Sequence, residues 1–191
     1  MKLDLRAATA ALALTALSAV ALPASAQMNH GDHKMVGGAA MYPNKTIVEN
    51  ASAASNLTTL VAAVKAAGLV DTLSGTGPFT VFAPTNAAFG KLPAGTVDTL
   101  VKPENKATLT KILTYHVVAG RMTAADIAAK AQASGGTATL TTVQGQTLTV
   151  GKSGMGWAVT DAKGGKAMIS TADVMQSNGV VHVVDSVLMP Q

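Results

Sequence analysis

The sequence predicts an α+β fold in which helices come first and strands come last. Residues 45–115 carry apolar side chains at helical spacing, interrupted by one strand-like segment. The residues after Gly136 instead form short runs rich in valine and threonine, separated by glycine-rich turns. Such an order favours helices and strands in separate layers. No internal repeat is visible, so we expect residues 42–191 to form one domain.

The first 26 residues are typical of a signal peptide. Lys2 and Arg6 give a positive start, an apolar run occupies residues 7–22, and residues 24–26 are the small residues of a cleavage site. A membrane span needs about 20 apolar residues, and this run is shorter. We therefore expect cleavage near Ala26 and a secreted or periplasmic protein. Residues 27–41 are polar, without periodicity, and predict a disordered tail.

The composition excludes several classes of protein. The chain has no cysteine, so no disulfide can form, and the fold of an exported protein must be stabilised by packing. The formal net charge is +4, and the lysines are scattered singly, whereas a nucleic-acid-binding protein clusters them. We expect no nucleic-acid partner, no cofactor, no transmembrane span after the signal peptide, and a monomer.

Two helices are predicted before the first strand. Residues 45–54 can form a short one. Ser55 or Asn56 is expected to cap the second, and Gly68 to end it before a further short turn over residues 69–72. The second helix has a core-facing stripe at positions i, i+3, i+4 and i+7, formed by Leu57, Leu60, Val61 and Val64.

Residues 77–89 combine a turn, a buried strand and the start of a helix. Residues 79–82 are aromatic and β-branched, which favours a packed strand. Pro84 cannot donate to a ladder and should end that strand, after which Thr85 can cap a helix. All three phenylalanines lie in this segment, so we expect the densest part of the core here.

The remaining helices are predicted to be short. Pro93 begins one that reaches Val101, and Pro103 begins another, which changes to strand over residues 115–118. Thr123 and Asp126 have the spacing of a capping box for the last helix.

Five strands are predicted after this helix. Four are short and have one face in water, namely residues 137–142, 147–150, 157–160 and 167–170. The last, over residues 180–189, is apolar on both faces and should lie in the middle of the sheet, with His182 as a satisfied core residue.

Three segments resemble a known family. FTVFAPTNAAF at residues 79–89, ILTYHVV at 112–118 and NGVVHVVDSVLMP at 178–190 are similar, in order, to signature segments of the fasciclin (FAS1) family of secreted adhesion domains. The resemblance implies a wedge of short β-strands flanked by several short helices, in a small exported bacterial member. It also implies a non-catalytic role, binding a protein receptor or a surface polysaccharide.

The resemblance also selects candidate contact residues. Tyr115 and His116 occupy a segment that the family links to receptor binding, although both residues could instead be structural, with their polar atoms satisfied inside the fold. Residues 173–175 match a segment where animal relatives hold an Asp-Ile pair proposed for integrin binding, with departures at Thr171, Ala172 and Val174. The predicted partner-binding residues are Tyr115, His116, Asp173, Val174 and Met175.

Other chemistries find less support in the sequence. There is no G-x-S-x-G elbow, and His182 and Asp185 are three residues apart on a predicted strand, which places them on opposite faces. A glycine-rich loop ending in Lys152-Ser153 has five residues between its glycines, where a phosphate-binding loop needs four. We therefore predict that the protein is not an enzyme.

A metal-handling or stress protein is the alternative function. Thioether and imidazole groups are copper ligands, and histidine also suits zinc. The predicted tail carries both groups, at Met28, His30, His33 and Met35. The same residues are equally compatible with a solvated leader that binds no metal.

Overall fold

The structure, a computed structural model, describes residues 33–191. Within them the helices are α1 (Ile47–Ala53), α2 (Thr58–Ala67), α3 (Val70–Ser74), α4 (Asn86–Gly90), α5 (Thr96–Leu100), α6 (Lys106–Tyr115) and α7 (Ala124–Ala133), with a 3-10 turn at Pro103–Asn105. The strands are β1 (Met35–Val36), β2 (Ala39–Ala40), β3 (Phe79–Pro84), β4 (Val117–Ala119), β5 (Thr137–Thr141), β6 (Thr147–Ser153), β7 (Gly156–Thr160), β8 (Lys166–Gln176) and β9 (Gly179–Val184). The predicted α+β class is confirmed. Across this part of the chain, no helix combines the length and apolar character needed to cross a bilayer.

Seven strands form one sheet in the order β4-β3-β9-β8-β7-β6-β5. The β3–β9 pair is parallel and the other pairs are antiparallel. Strand β8 pairs with β7 as far as Met168 and with β9 from Ile169 to Gln176, and the pairing with β9 contains two register shifts. The first and last strands of the order approach each other through a single bridge between Val118 and Thr142. The sheet therefore closes on itself into a wedge.

The central pair, β3 and β9, brings the distant signature segments together. Phe79 is paired with Gly179 at one end and Pro84 with Val184 at the other. All six residues of β9 are buried, so the prediction of a final strand covered on both faces is confirmed. Side chains alternate between two cores, because successive residues of a strand point to opposite faces. Val81 and Val181 face one core, and Phe82 and Val184 face the other.

The first core, here called the helical core, lies between the helices and one face of the central strands. Leu60 and Val64 of α2 are each 6% exposed and pack there with residues of α1, α3 and α6. Helix α2 ends at Gly68, which adopts the left-handed conformation with φ 72°. The predicted helix end is thus confirmed, as are three members of the predicted stripe, Leu57, Leu60 and Val64, whereas Val61 is only partly buried.

The second core, here called the wedge core, lies inside the folded sheet and is covered by α7. Its buried members include Phe82, Tyr115 and Ile127, together with alternate residues of β5, β6 and β7. Along β5 the residues are alternately exposed and buried, with the threonines exposed. This is the predicted pattern of a sheet with one face in water.

Four of the predicted strands differ from the structure by more than one residue at one end. Strand β4 begins at Val117 instead of Tyr115, and β6 continues to Ser153 instead of ending at Val150. Strand β8 continues to Gln176 instead of ending at Ser170. The sequence does not predict this extension, because irregular pairing around Asp173 disturbs the two-residue alternation that identifies a strand. Strand β9 ends at Val184 instead of Met189, and Asp185 there turns its carboxylate to accept the Met168 N–H.

Three predictions at the helices and the N-terminus need correction. Ser55 and Asn56 do not cap α2; the side chain of Asn86, distant in sequence, accepts the Thr59 N–H instead. Helix α5 begins at Thr96, after Gly95 in a left-handed conformation, and not at Pro93. Of the predicted tail, residues 33–41 are folded: β1 pairs with β2, and Val36 and Met41 are in the helical core. The predicted signal peptide and residues 27–32 lie outside the described residues.

Candidate binding site

Tyr115, the last residue of α6, is completely buried in the wedge core. Its hydroxyl donates to the Thr147 carbonyl at 3.1 Å and accepts the Ala162 N–H at 2.9 Å. Burial raises the pKa of this hydroxyl above its ordinary value, because the phenolate would lose its hydration. Both hydrogen-bonding functions of the side chain are therefore used inside the protein.

His116 follows Tyr115 and is also buried, at 2% exposure. Its Nδ1 lies 2.9 Å from the Ile112 carbonyl, and its Nε2 accepts the Leu188 N–H at 3.0 Å. A carbonyl only accepts and a backbone N–H only donates, so the ring is neutral with its proton on Nδ1. Burial lowers the pKa of His116 to about 4, despite opposing contributions from the Ile112 carbonyl and Asp161.

Asp173 occupies the irregular part of β8 and has φ 54°, in the left-handed region that non-glycine residues rarely adopt. Its Oδ1 accepts the Ala124 N–H, in the first turn of α7, at 2.6 Å. Its own N–H donates to Nδ1 of His182 at 3.3 Å. Asp173 therefore ties α7 to the sheet. Of its two neighbours, Val174 is 1% exposed in the helical core and Met175 is 39% exposed.

His182 lies fully buried on β9, as the sequence predicts for a satisfied core residue. Its Nε2–H donates to the Met122 carbonyl at 2.9 Å, which fixes the neutral ring with Nδ1 as the acceptor for Asp173. The ring stacks on Phe82 with 5.6 Å between centroids. Burial lowers the pKa of His182 below its ordinary value.

The structure does not bring the five predicted contact residues to one surface. Tyr115 lies in the wedge core, whereas His116 and Val174 line a cavity of about 40 Å³ in the helical core. Asp173 is partly buried, and Met175 is the most exposed of the five. The geometry thus supports the structural alternative for Tyr115 and His116 and leaves Asp173 and Met175 within reach of a partner.

Asn178 is a structural residue whose role the sequence does not reveal. Its Oδ1 accepts the Ile47 N–H at 3.1 Å, and its Nδ2 donates to the carbonyls of Leu73 at 2.7 Å and Gly75 at 3.0 Å. One buried amide therefore joins the start of α1 to the end of α3. The only sequence signal at this position is the Asn-Gly pair, which is typical of a turn.

The described residues hold no cluster of three or more histidine, cysteine or acidic side chains that could bind a metal. Asp185 pairs with Lys91 at 3.1 Å and does not approach His182 as a catalytic partner. Of the predicted tail ligands, His33 packs on Tyr42 with 4.8 Å between ring centroids, and Met35 is 59% exposed. Met28 and His30 lie outside the described residues.

Comparisons with known proteins agree with this architecture. The family model of the fasciclin domain matches residues 55–190. Protein sll1483 of Synechocystis sp. is 47% identical over 193 residues, covering 97% of this chain and 99% of its own. Cell surface glycolipoprotein MPB83 of Mycobacterium bovis is 43% identical over 148 residues, covering 73% of this chain and 60% of its own.

A solved structure shows the same fold. It is the FAS1 domain pair from the insect cell adhesion molecule Fasciclin I, which matches with a TM-score of 0.68 and 21% identity. The match covers 76% of this chain and 51% of the insect chain, so this chain spans about half of that pair. At this identity the likeness concerns the fold alone.

Proposed function

The chain belongs to the fasciclin domain family, and on that premise we propose that it is an exported, non-catalytic module that binds a partner protein or a surface polysaccharide at the cell envelope. Two names among the similar proteins support this role. One relative is called a cell surface glycolipoprotein, and the solved structure comes from a cell adhesion molecule.

The hydrogen bonds made by the two core histidines are the main support for the non-catalytic part of the proposal. In both His116 and His182, one ring nitrogen donates to a backbone carbonyl and the other accepts a backbone N–H. A general base needs a nitrogen lone pair within reach of a nucleophile or water. These lone pairs are already used to hold the fold, which favours a binding role.

Met175 and Asp173 are the contact residues that we propose to retain. Met175 is exposed, and a thioether adapts its shape to an irregular partner surface. Asp173 lies two residues away and positions α7 through the Ala124 N–H. Tyr115, His116 and Val174 contribute from inside, by holding the two cores that carry this surface.

Binding can be tested by capture from envelope material with the mature protein and two variants. Met175→Glu places a charge at the proposed surface, whereas Met155→Glu makes the same change at a fully exposed position in the turn between β6 and β7. We expect Met175→Glu to lose the partner and Met155→Glu to retain it. Equal capture by both variants would remove Met175 from the site. Glycosidase or protease treatment of the captured material identifies the class of partner.

Export is a separate part of the proposal and has its own test. Mass spectrometry of the protein recovered outside the cytoplasm should give a mature chain beginning at Gln27, because residues 24–26 match the cleavage pattern. An uncleaved chain that stays in the cytoplasm would contradict it.

Metal handling through the N-terminal segment is our second proposal. It is favoured by the 59% exposure of Met35, which leaves a thioether accessible two residues after His33 in the sequence. Calorimetry with copper should show binding that is lost on changing Met28, His30, His33 and Met35 to alanine. No heat of binding with the intact mature protein would end this alternative.

A further inference from the structure

A cavity of about 190 Å³ opens at the mouth of the wedge, beside the first turn of α7. Trp157 of β7 and Ile169 of β8 form one side of it, and Ala124 and Ile127 of α7 form the other. His182, Gly156, Ser170 and Ala172 complete the lining. Trp157 is the only tryptophan of the chain and is partly exposed here. Asp173 helps to shape the cavity, because it fixes the Ala124 N–H.

The size and polarity of the cavity favour one ring with little polar character. A cavity of about 150 Å³ is large enough for benzene, while pockets for drug-sized ligands begin at about 300 Å³. The polar groups in the wall are mostly engaged: both nitrogens of His182 are bonded, and the Ser170 hydroxyl donates to the Val183 carbonyl at 3.1 Å. A sugar ring would leave hydroxyls unpaired there, which costs binding free energy. An aromatic side chain would not.

The strand beside the cavity has an open edge. Pairing between β7 and β8 ends at Met168, so within residues 33–191 no strand pairs with Ile169 or its successors on the side away from β9. Unpaired strand edges bind extended peptides through backbone hydrogen bonds. The Ala172 carbonyl at the end of this edge is already engaged, because it accepts from the Lys34 ammonium at 2.5 Å, so a peptide would pair with the edge before Ala172.

We propose that the wedge mouth binds an extended peptide segment of a partner protein, with an aromatic side chain of that segment inserted between the wall formed by Trp157 and Ile169 and the wall formed by Ala124 and Ile127 of α7. The peptide backbone lies along the edge of β8 from Ile169 to Thr171. Insertion of the ring buries apolar surface, and backbone hydrogen bonds to the strand edge fix the orientation of the peptide. This inference rests on the proposed binding function and chooses a protein over a polysaccharide as the partner.

The test uses nuclear magnetic resonance of the mature protein with defined probes. They are the peptide acetyl-Thr-Phe-Thr-amide, its alanine counterpart acetyl-Thr-Ala-Thr-amide, benzyl alcohol and cellobiose, each added to millimolar concentration. We expect the phenylalanine peptide to shift the Trp157 indole signal and the amides of Gly156, Ser170 and Ala172. It should bind at least about tenfold more tightly than the alanine peptide, a difference of about 1.4 kcal/mol.

A matched pair of variants locates the effect. Ala172→Leu fills the cavity while keeping the backbone edge, and Ala133→Leu makes the same change at an exposed position at the far end of α7. Ala172→Leu should abolish the preference for phenylalanine, and Ala133→Leu should preserve it. No shifts at the cavity with either peptide, stronger shifts with cellobiose, or equal binding of benzyl alcohol and the phenylalanine peptide would each overturn the inference.

Envelope capture separates this inference from the function on which it rests. If Ala172→Leu still captures a partner that Met175→Glu loses, the binding role stands and the wedge-mouth inference is wrong. If Ala172→Leu loses a protein partner and Ala133→Leu keeps it, the inference is supported.

Discussion

The helical core and the wedge core share strands β3 and β9 but are built differently. The helical core is walled on one side by separate short helices, which polar side chains such as Asn178 tie together. It retains a cavity of about 40 Å³. The wedge core is walled by strands joined in a continuous ladder, and Phe82, Leu148 and Val159 in it are 0% exposed. Short helices can shift after a change in volume, whereas a strand ladder resists it.

The Tyr115-His116 pair joins the two cores. Tyr115 closes the wedge core through Thr147 and Ala162, and His116 lines the helical cavity and holds Leu188. Two adjacent residues thus fasten β6, the loop after β7 and the segment after β9 to the end of one helix. Both side chains are buried and fully hydrogen-bonded inside the fold, so the likeness of this segment to family members is explained by a structural role.

The largest effect that this comparison predicts is for Phe82→Ala. The ring is 0% exposed and stacks on His182, so its removal should lower the free energy of unfolding by about 3–5 kcal/mol. Urea unfolding of both proteins measures the difference. The matched variant is Phe89→Ala in the helical core, where the ring is 7% exposed. We expect it to cost less, because the helices around it can close the gap. A larger loss for Phe89→Ala would reverse our view of the two cores.

The second effect concerns acid and His116. The pKa of His116 is about 4 in the folded protein and 6.5 for the free side chain, so the unfolded chain binds a proton in this range that the folded chain does not. The contribution of His116 to the free energy of unfolding is therefore fully present above pH 6.5. It decreases by about 3 kcal/mol in total as the pH falls toward 4. Urea unfolding at several pH values measures the slope.

A direct titration distinguishes His116 from other acid-sensitive groups. The carboxyl groups of Glu49, Asp126 and Asp185 have lowered pKa values, so their contributions are lost at lower pH than that of His116. The ring signals of His116 in nuclear magnetic resonance should remain those of the neutral form at pH 5.5. Protonation of this ring near its ordinary pKa would contradict the burial described above.

Much of the fold is predictable from the sequence, because local signals and tertiary packing agree. The strand over Phe79–Pro84, the Thr85 cap and the capping box of Thr123 with Asp126 are all local, and each is confirmed. Predictions fail where a distant residue decides the structure. Asn86, distant in sequence, supplies the cap of α2. Predictions also fail where a residue adopts a rare backbone conformation, as Asp173 does within β8.

The candidate site is harder to predict than the fold, because motif similarity does not report exposure. Tyr115, His116 and Val174 belong to recognisable segments yet point inward. The wedge-mouth cavity draws Trp157, Ile169 and Ala124 from three elements, and no spacing in the sequence connects them. The folded part of the chain begins before the predicted domain start at residue 42, because the apolar pair Met35–Val36 is too short to show a strand period in the sequence.

A smaller effect is expected for Asp173, which connects the wedge core's covering helix to the sheet. Asp173→Ala removes the acceptor for the Ala124 N–H and should cost about 1–2 kcal/mol in urea unfolding. Asp173→Asn keeps a side-chain oxygen and a residue type that tolerates the left-handed conformation, so it should be close to neutral. Equal losses for both variants would show that the negative charge, and not the oxygen acceptor, is what matters.

The smallest predicted effects come from adding one methylene group to each core instead of removing a ring. Val64 lines the helical cavity, whose volume of about 40 Å³ exceeds the about 10–15 Å³ that one water needs. Val64→Ile should therefore raise the free energy of unfolding by up to about 0.8 kcal/mol. Val159 in the wedge core is 0% exposed, so Val159→Ile should lower it by about 1 kcal/mol through overpacking. Opposite signs in urea unfolding would establish that the helical core has spare volume around Val64 and that the wedge core has none around Val159, whereas equal signs would show that the two sites respond alike.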